Sequence, residues 1–262
     1  MDLVVCVKRV AEHAEAEFEV DETGKKLKVK GAAYDINEWD DYALEEALRL
    51  KEALGGRLTA VTVGDEDSEE VLRKCLAKGA DEAIRVDVPT EEMDAYAVAK
   101  VLHRVLKKLN FDLVLMGAQA SDDGYAQVGP ILAFLLGVPH ATLVKKVEVL
   151  EEWIRVHREL EGGAEEVVEL RVPALLTIQT GINEPRYVSI MGLRRASKKP
   201  LKVLSPGELE LTSEDVGREG SWARLVRYEI PRVEKRALII EGPAEKAASF
   251  IFNLLKERGV TA

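Results

Sequence analysis

The sequence predicts an α/β fold: a doubly wound, mostly parallel sheet of the Rossmann-like type, with a β-hairpin region and an extended C-terminal arm. Apolar runs typical of buried parallel strands occur at residues 3–7, 58–63, 83–86 and 113–116. Helical patterns separate these runs, and this alternation predicts parallel strands joined by right-handed crossovers. A loop rich in Gly, Ala, Ser and Asp follows the fourth run, where such sheets bind ligands.

The first half of the chain is predicted to contain one hairpin and three helices. Residues 8–30 are highly charged and are expected to turn as a hairpin at residues 21–24. A loop and a helix are predicted at residues 35–54, and helices at residues 68–78 and 94–109, each with an apolar face. Asn37 is expected to cap the first of these helices, and Asp40 is expected to complement its dipole.

Residues 111–141 are predicted to form a buried strand, a polar loop and a helix that ends near Leu136. Parallel sheets bind ligands at the carboxyl ends of their strands, where a helix N-terminus can hold a phosphate. The strand ends at residues 6–9, 63–65 and 117–123 are therefore expected to lie close together. The loop is interpreted as a candidate nucleotide site, although the sequence contains neither a dinucleotide glycine fingerprint nor a P-loop.

The acidic residues of this loop have a structural as well as a catalytic interpretation. Asp122 and Asp123 have the composition of an acid–base pair, but no candidate nucleophile accompanies them. They are therefore expected to act as caps and dipole partners at the helix start. Cys6, at the end of the first strand, is expected to be a small core residue that points toward the site. No catalytic residue is assigned.

The sequence pattern changes after residue 141. Further strands are predicted at residues 143–150, 153–158, 166–171 and 174–178, the first two as an antiparallel pair. Residues 180–200 show no periodicity but carry a basic cluster, and a final helix is predicted at residues 244–258. The chain is therefore divided into a domain at 1–200 and a C-terminal arm at 201–262, which is expected to wrap a partner.

Composition excludes several classes of function. The formal charge of −10 argues against nucleic-acid binding, and an aromatic content of 5% argues against base stacking. Cys6 and Cys75 are expected to be reduced thiols, and the four histidines lack metal-ligand spacing. The sequence begins on a strand pattern without a signal peptide and has no 18-residue apolar stretch. A cytoplasmic protein without a membrane span or bound metal is therefore expected.

Several segments of the chain resemble the β subunit of electron transfer flavoproteins. The similar segments are residues 7–9, 37–47, 72–81, 119–129, 158–163, 173–177 and 183–189. The last of these, Asn-Glu-Pro-Arg-Tyr-Val-Ser, is close to a family signature and is followed by a basic run. The resemblance implies an adenine-nucleotide α-hydrolase-like fold and a heterodimer whose α subunit carries the redox-active FAD. This chain would then be an electron carrier subunit and not an enzyme, and it would bind a structural AMP and form a wall of the FAD site.

The resemblance also implies roles for individual residues. AMP would contact Cys6, Asn37, Glu38, Trp39, Asp40, Val63, Gly117, Ala118, Gln119, Ala120, Ser121, Asp122, Asp123, Gly124, Tyr125, Ala126, Gln127 and Val128. His13 would lie near the FAD of the α subunit. The residues that recognise a flavoprotein dehydrogenase would be Tyr187, Ile190, Met191, Leu193, Arg194 and Arg195, with Ile190 as the apolar anchor. The electrons would pass on to a downstream acceptor such as a quinone oxidoreductase.

Two alternatives remain open at this point. Some members of this family carry a second FAD in place of AMP and carry out electron bifurcation with NADH. The Asn-Glu-Trp-Asp form at residues 37–40 departs from the pattern of those members, whereas residues 124–129 are nearer to it. The pattern as a whole is closest to members that serve amine dehydrogenases, which favours AMP. The other alternative is a stand-alone ATP- or AMP-binding stress-type protein, in which residues 201–262 would have no evident role.

Overall fold

A computed structural model describes residues 1–12, 16–231 and 237–260. The described part of the chain divides into two compact units, Met1–Tyr228 and Glu229–Ala262. The strands of the first unit are β1 (Asp2–Cys6), β2 (Arg9–Ala11), β3 (Glu17–Val20), β4 (Leu27–Lys30), β5 (Tyr34–Ile36), β6 (Arg57–Val63), β7 (Glu82–Val86), β8 (Leu113–Gly117), β9 (His140–Leu150), β10 (Trp153–Glu159), β11 (Glu165–Arg171), β12 (Ala174–Ile178) and β13 (Leu201–Leu204). Its helices are α1 (Glu38–Leu54), α2 (Glu69–Lys78), α3 (Ala95–Leu106), α4 (Val128–Leu136), α5 (Ile190–Ala196) and α6 (Gly217–Gly220).

The central sheet has the doubly wound order that the sequence predicts. Among the described residues, nine strands pair in the order β11-β10-β9-β12-β8-β1-β6-β7-β13. The strands from β9 to β13 in this order pair in parallel, and β10 is antiparallel to both of its neighbours. The chain runs from β1 to β6 and β7 on one side, then returns to β8 on the other side. The topological switch point therefore lies at β1, between β6 and β8.

Helices cover both faces of this sheet. On one face α1 and α2 bury an apolar stripe that includes Leu44, Leu48, Leu72 and Leu76. On the other face α3 and α4 pack together and bury Leu132. Each leucine buried in this way contributes about 1.5–3 kcal/mol relative to exposure. The predicted hairpin at residues 21–24 is confirmed, since β3 and β4 pair antiparallel on either side of it.

Three elements of the second half, α5, α6 and β13, were not predicted from the sequence. The short helix α5 lies within residues 180–200, where no periodicity was found. Strand β13 extends the sheet by pairing with β7, and Leu209 and Leu211 after it are buried in the core. The first compact unit accordingly continues to Tyr228, which differs from the domain boundary predicted at residue 200.

The second unit contains one helix in its described part, α7 (Ala244–Glu257). The predicted final helix is therefore confirmed. Most of the apolar side chains of this helix are exposed, among them Phe250, Ile251, Phe252 and Leu255. Of all the helices in the described ranges, none is long and apolar enough to cross a membrane.

Candidate functional site

The ends of three neighbouring strands meet at one edge of the sheet, here called the carboxyl edge. Strand β1 lies between β6 and β8, so the residues that follow each of them are adjacent. The backbone N–H of Val7 donates to the carbonyl oxygen of Val61 at 2.9 Å. The hydroxyl of Thr62 donates in return to the carbonyl oxygen of Val7 at 2.7 Å. The expectation that these strand ends lie close together is confirmed.

Asp40 joins the ends of β1 and β8. Its side chain is buried, and its two oxygens accept from the backbone N–H groups of Lys8 at 2.8 Å and Gly117 at 2.7 Å. Burial raises the pKa of Asp40 to about 7, although the hydrogen bonds from Lys8 and Gly117 oppose this shift. A Cβ at position 117 would lie 2.6 Å from the Asp40 Oδ1 and 2.6 Å from the Trp39 Cβ. Only glycine therefore allows this close approach.

Asn37 shapes the loop after β8 and does not cap α1 as predicted. Within the described residues its side chain makes no cap bond to the first turn of α1. Its Nδ2 donates to the carbonyl oxygen of Gln119 at 2.8 Å, and its Oδ1 accepts from the backbone N–H of Ser121 at 3.0 Å. Asparagine is suited both to capping a helix and to bonding a distant loop. Its occurrence at the helix start therefore did not distinguish the two roles.

The two acidic residues of the loop are ion-paired with Lys8. The ammonium group of Lys8 lies 2.6 Å from Asp122 and 2.9 Å from Asp123. Burial lowers the pKa of Lys8, but the interactions with Asp122 and Asp123 outweigh it and raise the pKa. Helix α4, whose residues are all described, begins only at Val128 and has no acidic residue in its first turn. The predicted role of the two aspartates at the helix start is therefore wrong.

The start of α4 presents backbone donors at the carboxyl edge. Gln127 makes no side-chain cap bond within the described residues, so the first amide groups of the helix lack an intrahelical partner. A Cβ at position 129 would lie 2.3 Å from the Thr177 Cγ2, so Gly129 lets the helix start pack directly against β12. The backbone of Ala126 has a φ of 54°, a left-handed conformation that costs about 1–2 kcal/mol for a residue other than glycine. Such strain is typical of functional loops.

The predicted nucleotide-binding residues fall into two groups. Five of them are buried and support the site from behind: Cys6, Asn37, Asp40, Gly117 and Ala118. The remaining ones are exposed or half-buried, with residues 121–127 exposed throughout. Burial and the charge of Asp40 raise the pKa of Cys6 to about 12, so this residue is a neutral thiol.

Sequence reasoning missed three side chains of this region. Lys8 holds the loop, Arg9 lies 3.8 Å above the ring centre of Tyr34, and Gln179 accepts from the indole N–H of Trp39 at 2.9 Å. The position of Lys8, two residues after the end of β1, was a usable signal, because the switch-point rule places it beside the residues that follow β8. The other two contacts join segments far apart in sequence and have no local pattern.

The predicted partner-recognition residues form one exposed surface. Residues 187–196, here called the recognition segment, contain α5, which begins at Ile190 and is capped by the hydroxyl of Ser189. Tyr187 is 97% exposed and Ile190 is 76% exposed. Met191, Leu193, Arg194 and Arg195 are exposed as well. His13 lies outside the described residues.

The signature at residues 183–189 attaches the recognition segment to the body of the protein. The Arg186 guanidinium pairs with Glu45 at 2.8 Å and with Glu52 at 2.6 Å, both on α1. Asn183 donates from its Nδ2 to the carbonyl oxygen of Tyr42 at 3.1 Å. A Cβ at position 192 would lie 2.7 Å from the carbonyl oxygen of Ala77, so α5 packs closely on the end of α2. These contacts explain why the segment is ordered without its own apolar core.

The described residues contain no group of three or more His, Cys, Asp or Glu side chains placed to hold a metal ion. The fold and the carboxyl edge define a doubly wound α/β protein with an open helix start at its switch point. A family model described as electron transfer flavoprotein domain matches residues 26–209. The chain is 41% identical to the electron transfer flavoprotein subunit beta of Methylophilus methylotrophus, with 98% of each chain covered.

Two further relatives carry the same description. The chain is 40% identical to the electron transfer flavoprotein subunit beta of Bacillus subtilis, over 99% of this chain and 100% of the relative. It is 37% identical to the electron transfer flavoprotein subunit beta of Homo sapiens, over 80% of this chain and 84% of the relative. The chain belongs to the electron transfer flavoprotein family, as a β subunit. The resemblance noted in the sequence is thereby confirmed.

Proposed function

We propose that this β subunit shuttles electrons from a flavoprotein dehydrogenase to a downstream acceptor as half of a heterodimer with an α subunit. In this proposal the α subunit holds most of the FAD, and this chain contributes a wall of the FAD site and binds AMP as a structural ligand. The flavin supplies the electron chemistry, and the family name describes carriers of electrons, not enzymes. The residues of this chain then only bind, orient and shield.

The observation that carries the AMP proposal is the open helix start beside the exposed loop at the switch point. Unpartnered amide groups and the positive end of the helix dipole favour an anion such as a phosphate. Gly117 and Gly129 lie where a Cβ would overlap neighbouring atoms, so the loop and α4 approach the sheet closely. The amides at the start of α4 would hold the phosphate, and Asn37 and Asp40 would fix the loop from behind.

In this proposal, the remaining parts of the chain contact partner proteins and the FAD. The recognition segment would dock a dehydrogenase through Ile190, in a small contact that permits fast release. His13 would lie near the FAD, and the arm with the apolar face of α7 would pack on the α subunit. We place this electron transfer in the cytoplasm, with an acceptor such as a quinone oxidoreductase.

Counting the bound nucleotides tests this proposal. The heterodimer is purified, its ligands are released with acid, and AMP and FAD are quantified per heterodimer. One FAD and one AMP are expected. Two FAD and no AMP would overturn the AMP proposal and identify a bifurcating member that reacts with NADH. A chain that forms no heterodimer and exchanges ATP freely would overturn the carrier role in favour of a stress-type nucleotide-binding protein.

A matched pair of variants tests the role of the carboxyl edge in binding AMP. Asn37→Ala removes the bonds to Gln119 and Ser121, a loss of about 1–3 kcal/mol for a buried group, so AMP content should fall after dialysis while FAD content stays constant. Asn183→Ala removes a similar half-buried amide that bonds to α1 away from the edge, and it should retain AMP. Equal retention of AMP by both variants would contradict the assignment of Asn37.

A further inference from the structure

A cavity of about 330 Å³ lies between the end of α2 and the recognition segment. It is lined by Leu76, Ala77, Lys78, Gly79, Arg186, Tyr187, Ser189, Gly192, Arg195 and Lys199. Small-molecule sites begin at roughly 300 Å³. The cavity therefore has room for a side chain or a small anion.

The lining of the cavity is positively charged and contains no acidic residue among those described. Two of its four cations are already neutralised within the chain. Lys78 donates to both oxygens of Asp41, and Arg186 pairs with carboxylates of α1. Arg195 and Lys199 have no carboxylate within 4.0 Å in the part of the chain that the structure describes. Lys199 is half-buried and Arg195 is exposed, and charges that a docked partner would cover are stabilised by a group of opposite sign.

Arg195 and Lys199 each retain N–H groups that can donate to a ligand. Lys199 uses its ammonium group to donate to the carbonyl oxygens of Leu76 at 3.0 Å and Ala80 at 2.6 Å, which leaves one of its three donors. Burial lowers the pKa of Lys199, and the charge of Arg195 adds to this while Asp81 opposes it. Arg195 uses only its Nε, in a 3.4 Å contact with the carbonyl oxygen of Met191. Its terminal nitrogens therefore suit a carboxylate, which a guanidinium binds in a two-pronged geometry.

The cavity adjoins the exposed apolar surface of the recognition segment. Tyr187 and Gly192 line the cavity and lie on either side of Ile190 in sequence. The contact between Gly192 and Ala77 fixes α5 against the wall of the cavity. A partner that covers Ile190 is thus in position to fill the cavity as well. The chain as a whole has a charge of −10, so this basic site is a local exception that selects an acidic partner.

We propose that this cavity receives a carboxylate side chain, aspartate or glutamate, of the flavoprotein dehydrogenase that docks on the recognition segment. The carboxylate would lie between Arg195 and Lys199. This inference rests on the proposed recognition role of Ile190. Docking then has two points of contact: the apolar anchor supplies affinity, and the ion pair fixes the orientation of the dehydrogenase.

Neighbouring arginines of the same helix provide the test. The holo heterodimer is prepared as wild type, Arg195→Gln, Arg194→Gln and Ile190→Ala. The probe is a purified flavoprotein amine dehydrogenase that reduces the wild-type heterodimer. The second-order rate constant of flavin reduction is measured for each protein. Arg195→Gln should lower it by about tenfold or more, because one partner of a desolvated charge pair is lost. Arg194→Gln removes the same charge one residue away, outside the cavity lining, and should lower the rate constant clearly less than Arg195→Gln does, because a charge in an exposed contact is screened by solvent.

Inorganic phosphate tests whether a free anion can occupy the cavity in place of the carboxylate. It replaces chloride in the buffer at constant ionic strength. Phosphate should compete with the dehydrogenase and slow reduction of the wild type, but not of Arg195→Gln. Equal losses in the two arginine variants would overturn the cavity, because they would show only a general charge effect. Reduction that is insensitive to Arg195→Gln but slowed by Ile190→Ala would overturn the cavity and leave the recognition role standing. Wild-type rate constants in both Arg195→Gln and Ile190→Ala would overturn the recognition role itself.

Discussion

The carboxyl edge and the recognition segment differ in whether their charged side chains are paired within the chain. At the carboxyl edge, Lys8 is paired with Asp122 and Asp123, and both oxygens of Asp40 accept backbone N–H groups. In the recognition segment, Arg194 and Arg195 have no carboxylate within 4.0 Å among the described residues. Apolar side chains are also exposed beside them.

This difference indicates how each region would bind its partner. The charged side chains of the carboxyl edge are paired within the chain, so a ligand there meets backbone groups already held in place. The recognition segment lacks counter-charges and apolar cover, and both are what a protein partner supplies. We infer that the carboxyl edge holds a permanently bound ligand and that the recognition segment binds its partner transiently. The following predictions, from the largest expected effect to the smallest, test this contrast.

The largest effect is expected at Gly117. Gly117→Val places a side chain where a Cβ alone would lie 2.6 Å from the Asp40 Oδ1. The hydrogen bonds through which Asp40 joins β1 and β8 must therefore be displaced. We expect a loss of about 3 kcal/mol, the upper part of the usual range for overpacking, seen as a lower midpoint of urea unfolding of the heterodimer. Gly207→Val is the control, because no atom lies within 4 Å of its Cβ position. Equal midpoints in the two variants would show that the edge is not closely packed.

The second effect concerns the pH dependence of stability. The fold raises the pKa of Asp40 from its usual value to about 7, so it favours the neutral acid. The stability that Asp40 contributes is therefore full below pH 4 and is lost as the pH rises through 7. Between pH 5 and 8 the wild type should lose about 2–3 kcal/mol relative to Asp40→Asn, which cannot ionise. Asp112→Asn, in which a carboxylate that accepts from the backbone of Asp2 is removed at an exposed position, should keep the wild-type dependence.

The third effect is kinetic. Ile190→Ala should slow flavin reduction by a dehydrogenase about tenfold, equivalent to about 1.4 kcal/mol. It should leave flavin content and thermal midpoint unchanged, because substitutions of exposed side chains usually change stability by less than about 0.5 kcal/mol. Val167→Ala is the control, since Val167 is a β-branched side chain exposed on β11. A fall in thermal midpoint for Ile190→Ala would mean that this residue serves the fold, which would remove the contrast between the two regions.

The smallest effect is expected for the ion pairs of the loop. Lys8→Met removes two pairs whose members are about 40% exposed, so solvent screening limits the loss to about 1 kcal/mol or less. The difference from wild type in thermal midpoint should shrink as salt is added. Lys30→Met removes an exposed pair with Glu19 in the β3–β4 ribbon and serves as the control for AMP content. If both variants retain AMP equally, Lys8 has no specific role in holding the loop.

Regular apolar patterns made most of the fold predictable. The runs at β1, β6, β7 and β8 are buried at nearly every position, and such runs are recognisable without any knowledge of their neighbours. Strand β13 was not predicted because its four residues are half-buried or exposed and because, among the described residues, it pairs only with β7, over a hundred residues earlier. Helix α5 was not predicted because seven residues with an internal Gly192 have no detectable helical period.

The site was predictable in its location but not in its contacts. The switch-point rule identified the three strand ends from chain order alone. Asn37, Asp122 and Asp123 were assigned local roles at helix starts, whereas each makes long-range contacts within the edge. Asparagine and aspartate side chains suit local caps and long-range contacts alike, so only the three-dimensional arrangement distinguishes the two roles.

The attachment of α5 has a consequence for how partner choice can change over time. The contacts that hold the helix come from its inner side, through Gly192 against Ala77 and through Arg73, which donates to the carbonyl oxygens of Ala196 and Lys199. The outer side chains, Ile190 among them, take no part in these contacts. Substitutions there can therefore accumulate without a cost in folding. A lineage can exchange one electron donor for another by altering a few outer residues, while the sheet and its carboxyl edge remain as they are.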